Sequence, residues 1–242
     1  MIESRTPKPL MPFSIFRLRT LRGANVAGLL IGLSLFSMFF FISLYMQQVL
    51  GYEPLKAGLA YLPLALTIVV SAGLASELVT RIGFKPVLIA GLLFIAAGTF
   101  WFSHVSAPGG SYLGDVLFPS LLAAIGLGFA FVTSTIAAVT GVRPNEAGLA
   151  SGLINTTQQV GGALGLAITA TIATAATNDA FAAGERSQAV ALTEGFQDAF
   201  LACAGFALLG ALLAAVMISS RDSRAHAEAA QAEGAEAVPV AG

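Results

Sequence analysis

The chain has 242 residues, of which 56% are hydrophobic and only 10% charged, and its mean hydropathy is +0.82. A soluble domain carries roughly 25% charged residues, so a water-soluble globular protein is all but excluded. Twelve basic and thirteen acidic residues nearly cancel, leaving no basic stripe to neutralise phosphates and no expectation of a nucleic-acid partner.

Residues 1–22 hold Pro7, Pro9 and Pro12 and then FSIFRLRTLR, a basic segment with Phe13 and Phe16. It suits either an interfacial stretch on anionic headgroups or the plain positive flank of a membrane span. Six uncharged apolar runs follow, each close to the 20 or so residues that a helix needs to cross the hydrocarbon core. They are residues 23–49, 57–76, 86–105, 116–140, 148–177 and 199–219, and His104 is the sole titratable side chain of the Asp, Glu, Lys, Arg and His set within them. In the first, thirteen residues are Leu, Ile, Val or Phe. Each favours insertion by about 0.3 to 0.6 kcal/mol, which outweighs any polar cost, and the run is too long for a cleaved signal peptide.

The first span ends in FISLYMQQVLGYEP, which places Tyr45, Gln47 and Gln48 at an interface, as anchors or as part of an outer gate. Pro63 in the second span frees the carbonyl of Leu59 and is expected to kink the helix. The loop GLASELVTRIGFKPVL is either a plain basic loop or a packed switch involving Glu77, Arg81, Gly83 and Lys85. The fourth span offers Gly126 and Gly128 for close packing, with Thr133, Ser134 and Thr135 as weak hydrogen-bonding groups. In the fifth, GLASGLINTTQQVGGALGLAI sets Asn155, Thr156, Thr157, Gln158 and Gln159 in mid-span. Ser151, Asn155 and Gln159 recur every four residues and share a face. They form either the polar wall of a cavity or, with the nearby glycines, interhelical glue. Residues 221–242 are Ala-rich and polar without apolar periodicity, and are expected to be a disordered cytoplasmic tail.

Six spans put both termini on one side. With the termini inside, ten basic residues lie in the cytoplasm and only Lys56 and Arg186 outside, so the positive-inside rule predicts cytoplasmic termini. Enzymatic motifs are missing: HExxH, GxSxG and GxxxxGK[ST] do not occur, and no span holds paired carboxylates. One cysteine, Cys203, and two distant histidines leave no internal disulfide, metal or other cofactor to expect. With no Asp or Glu in mid-span, the chain by itself carries no evident proton carrier.

The segments FRLRT, LYMQQVLGYEPLKAGLAYLP, TRIGFKPVLIAGLLF, GLGFAF and AGLASGLINTTQQVGGALGLAI together resemble the C-terminal six-helix half of a fourteen-helix drug/proton antiporter of the major facilitator superfamily, over about residues 5–218. The resemblance implies an all-α membrane protein whose six transmembrane helices, within residues 23–220, form the C-terminal bundle of that fold. The family's loop motif, roughly GRLVDRxGxRP, is matched at Leu78, Val79, Arg81, Gly83, Lys85 and Pro86, whereas Ser76 and Thr80 stand where it has glycine and aspartate. Gly152, Gly161 and Gly165 are spaced as in the antiporter motif of the other half, but Leu166 occupies the proline position, so these glycines are read as helix-packing residues.

By resemblance the chain is half of an efflux pump for small lipophilic or cationic drugs in a bacterial plasma membrane, with the bilayer around it and antibiotic resistance as the outcome. Two bundles would rock between inward- and outward-open states, with the coupling acids in a missing N-terminal half. Met1 falls near the end of the family's central linker helices, which suits a truncated gene, a split transporter or a fragment. Candidate cavity-lining residues are Ser34, Ser37, Gln47, Asn155, Thr156 and Gln159. A homodimeric half-transporter and a non-transporting membrane module remain as alternatives.

Overall fold

The computed structural model describes residue 15 and residues 18–236. Helix α1 spans Arg19–Leu44 and continues as a π-helical turn, Tyr45–Val49. A break at Tyr61 separates the short α2, Pro54–Ala60, from α3, Leu62–Ile82. Helix α4 is Phe84–Phe102, and a π-helical turn at Tyr112–Leu117 leads into α5, Phe118–Val139. A 3-10 turn, Pro144–Glu146, opens α6, Ala147–Ala182, which is followed by α7, Gln188–Met217, and α8, Ser220–Glu236. All regular structure among the described residues is helical, and six stretches are long and apolar enough to cross a membrane: Arg19–Val49, Pro54–Ile82, Phe84–Phe102, Tyr112–Val139, Pro144–Ala182 and Gln188–Met217. Helices suit this role because each satisfies its own backbone where no water can.

Several of the observed helices outrun the uncharged runs. Helix α6 passes Asp179, and α7 starts eleven residues before Ala199, taking in Glu194 and Asp198. At 1.5 Å per residue α6 is about 54 Å long, well beyond a hydrocarbon core of about 30 Å. Hydropathy marks the part of a helix that lipid covers and is blind to the part that projects beyond it. Likewise α1 begins at Arg19, inside the segment assigned to a pre-helical flank, while residues 1–14, 16 and 17 of that segment lie outside the described residues.

Beside Pro63 the helix is interrupted for one residue. The helix lets go at Tyr61, whose N–H donates to Gly58 at 3.2 Å, and Pro63 becomes the second residue of α3, where its missing donor costs nothing.

Small residues set the packing. Helix α1 is central, against α5, α6 and α7; α4 lies between α5 and α7; α3 leans on α5. Side chains added at Gly91 or Gly98 of α4 would strike Ala130 or Ala123 of α5, and one at Gly128 of α5 would strike Ser71 of α3. An aromatic cluster joins α1, α4 and α7: Phe41 meets Phe196 and Phe200 at 5.6 and 6.2 Å between ring centres, and Phe102 stacks on Phe200 at 5.0 Å. Of the six membrane-length stretches, those containing α3 and α6 are the least covered by the rest of the bundle.

The expectation of a disordered tail is corrected. Residues 220–236 form α8, with Ser223 and Ala227 buried against the α3–α4 turn. Its alanines favour helix intrinsically. Its docked face is Ser223, His226, Ala227 and Gln231, spaced at three and four residues but too polar to register as apolar periodicity. Residues 237–242 lie outside the described residues.

Candidate transport surface

Two faces of α6 do different work. The inner face closes on α1 almost backbone to backbone. Added side chains at Gly161 and Gly165 would collide with the carbonyl oxygens of Leu29 and Leu33, and one at Gly32 would collide with the carbonyl of Gln158. Polar pairs flank this seam: the Thr157 hydroxyl donates to Asn25 Oδ1 at 2.7 Å, and the Thr169 hydroxyl donates to Ser37 Oγ at 3.0 Å. Gln158 is buried in the same seam, and its Nε2 is the only buried side-chain polar atom among the described residues without a hydrogen-bond partner.

The outer face is exposed and polar. Ser151, Asn155, Gln159, Ala163, Ala167, Thr171, Thr174 and Asn178 recur every three or four residues, and all are exposed. This stripe of polar and small side chains is about 40 Å long at 1.5 Å per residue, enough to traverse the bilayer. Lipid offers such groups no hydrogen bonds, so water or another protein surface must cover them.

The sequence candidates divide between these faces. Asn155, Thr156 and Gln159 lie together on the outer face, with Thr156 Oγ1 bonded to the carbonyl of Gly152 in its own helix. Ser34 and Ser37 do not join them, which corrects their assignment to a cavity wall. Both are fully buried: Ser34 donates to the carbonyl of Cys203 in α7 at 2.8 Å, and Ser37 donates to Leu33. Polarity marked these hydroxyls as candidates but says nothing of direction, and both point to neighbouring helices. Gln47 is exposed at the end of α1, its amide turned back to the Ser43 carbonyl at 3.2 Å.

Gly152 also parts company with the packing glycines, since nothing would approach a side chain there. It precedes Gly161 by nine residues, about two and a half turns, and so faces the opposite way.

At one end the polar stripe opens into a cleft of about 360 Å³ between α1, α6 and α7. Phe40, Phe41 and Phe196 supply aromatic surface, and Gln48, Thr174 and Asn178 supply hydrogen-bonding groups. Among the described residues, no ionisable side chain lines it. An apolar wall with a few uncharged polar groups is suited to a lipophilic molecule. Thr174 and Asn178 were missed because the sequence reading treated only the middle of the span as functional. Continuing the helical spacing from Ser151 in steps of four to Thr171, then of three and four, reaches them.

The loop-motif residues gather at the other end. Glu77 and Arg81 form an exposed ion pair one helical turn apart. Gly83 alone joins α3 to α4, with φ of +84°, and a side chain on it would run into Ser223 of α8. The Lys85 N–H donates to Ser223 Oγ, and its Nζ to Ser220 Oγ, both at 2.9 Å. Thr80, at the aspartate position of the motif resembled, bonds back to the Glu77 carbonyl, and its own carbonyl accepts from Gln231.

Residues 3–166 match the family model described as Major Facilitator Superfamily. The chain is 36% identical to the cephamycin export protein CmcT of Amycolatopsis lactamdurans, over 90% of this chain and 43% of that protein. It is 33% identical to a puromycin resistance protein of Streptomyces alboniger, over 93% of this chain and 46% of the relative. It is 32% identical to a tetracenomycin C resistance and export protein of Streptomyces glaucescens, over 74% and 33% of the two chains. The chain thus spans less than half the length of these curated relatives.

Proposed function

This chain belongs to the major facilitator superfamily, and from that premise we propose that it is the C-terminal bundle of a multidrug efflux transporter. It is a multi-pass membrane protein and a transporter rather than an enzyme. The proposed cargo is a small lipophilic molecule of the antibiotic type, as the names of the relatives suggest and the uncharged aromatic cleft supports.

The observation that carries this reading is the polar stripe of α6, Ser151 to Asn178, exposed along a helix long enough to cross the membrane. A second six-helix bundle facing α6 would enclose an aqueous path along the stripe. Alternation between open states then needs the two bundles to rock. The α1–α6 seam makes the stripe move with its own bundle, because its backbone contacts leave no room for sliding. Proton coupling is assigned to acids of the facing bundle, as the polar stripe contains no carboxylate. The excess of basic residues on the side of the termini supports a cytoplasmic location for both, in a bacterial plasma membrane.

The test is co-expression with the N-terminal half of a related exporter in a drug-hypersensitive bacterial strain. The pair is expected to restore resistance and energy-dependent dye efflux, with neither half active alone. Efflux by this chain without a partner would refute the need for a facing bundle. An inactive pair in which both halves reach the membrane and co-purify would refute the transporter reading.

A further inference from the structure

A second pocket, of about 320 Å³, lies where α3 ends, α4 starts and α8 folds back. Its lining combines Lys85, Arg224 and the hydroxyls of Ser220 and Ser223 with the apolar side chains of Ile82, Pro86 and Ile89. Among the described residues, no carboxylate lines it. The only ion pair among the described residues joins Glu77 to Arg81, so neither Lys85 nor Arg224 is neutralised within it.

The local geometry leaves these groups ready for an anion. Ser220 Oγ accepts from Lys85 Nζ and Ser223 Oγ accepts from the Lys85 N–H, which frees both hydroxyl protons to donate elsewhere. Helices α4 and α8 begin here, at Phe84 and Ser220, and their N-terminal dipoles add positive potential.

The pocket is also amphiphilic. Its cations adjoin the ends of two membrane-length stretches, at Ile82 and Met217, where a helix crossing a bilayer would reach the headgroups. Ile82 is 52% exposed, and Ile89 lies more than a turn further along α4. A soluble anion would use only the polar side. A phospholipid would use both, its phosphate on Lys85 and Arg224 and its acyl chain along Ile82 and Ile89.

We propose that this pocket, walled by the α3–α4 turn and by α8, binds the headgroup of an anionic phospholipid. The bound lipid then holds α8 against Gly83 and Lys85 as a third party to that contact.

The experiment is native mass spectrometry of the whole chain released from mixed phosphatidylglycerol and phosphatidylcholine. The expected result is preferential retention of phosphatidylglycerol. Arg224 is exposed and makes no hydrogen bond that the fold depends on, so R224Q is expected to fold and to lower that preference roughly fivefold, as about 1 kcal/mol per basic side chain at a membrane surface implies. K85Q/R224Q should abolish the preference, R224K should keep it, and R186Q, on the opposite end of the bundle, should leave it untouched. Equal retention of the two lipids by the wild-type chain, or an unchanged preference in R224Q, overturns the proposal. So does displacement of the lipid by millimolar inorganic phosphate, which would mark a site for a soluble anion.

Discussion

Gly161 lies so close to the carbonyl oxygen of Leu29 that no side chain fits between α6 and α1 at that level. Gly165 repeats the contact one turn on, against Leu33. Gly161→Leu and Gly165→Leu are therefore expected to cost about 1 to 3 kcal/mol each, the usual penalty for overpacking. Gly152→Leu, on the open face, should cost far less. Cys203 is the sole cysteine and is buried, so a fluorogenic thiol reagent reports unfolding directly, and the ranking of midpoints checks the claim.

Ser34→Ala and Ser37→Ala are expected to lower stability slightly and to leave transport by a reassembled pump intact. Each hydroxyl is buried in a helix-packing contact, and hydrogen bonds between membrane helices contribute about 0.6 kcal/mol on average. A change in substrate range in either variant would return these residues to the cavity wall.

Asn155, Gln159 and Thr171 are predicted to be wet. In a Cys203→Ala background, single cysteines at these positions of the reassembled pump should react with a membrane-impermeant maleimide, and a transported drug should slow the reaction. Cysteines at Val160 and Leu164, on the apolar flank of the stripe, should react poorly. Equal reactivity at all five positions would remove the aqueous path.

Arg19 caps the far end of the bundle. Its Nε donates to the Met217 carbonyl at 3.1 Å and its Nη2 to the Val216 carbonyl at 2.7 Å, so a cation meets the negative end of α7. Arg19→Gln is expected to cost about 1 kcal/mol and to loosen the end of α7. Faster hydrogen exchange at residues 214–218, with little change around Phe200, is the expected signature.

Much of this architecture is legible in the sequence, and for a simple reason. Uncharged runs of about 20 residues have one stable home, and six of them dictate a bundle. Direction within the bundle is harder to read. Ser34 and Asn155 are equally polar in sequence, yet one is sealed against Cys203 and the other exposed, because the helix that buries a residue is set by contacts distant in the chain. The α8 helix escaped notice for a related reason: it docks through Ser223 and Gln231 on backbone groups of Lys85 and Thr80 and through His226 on the Phe84 ring, so its docked face is not apolar. Asn178 and Thr174 share the face of Ser151 only after a three-residue step at Thr171, and they lie towards the end of the span, away from the mid-span residues that drew the reading.

Gly83 leaves its two neighbours no slack. With a single residue between them, α3 and α4 can change their mutual angle about one pair of backbone torsions, yet neither can translate along the other without tearing a helix end. At this corner the bundle behaves as a pivot instead of a leash. In the proposed rocking cycle, motion reaching α3 would be handed to α4 as torque, with the α8 helix pressed on Gly83 at the axle.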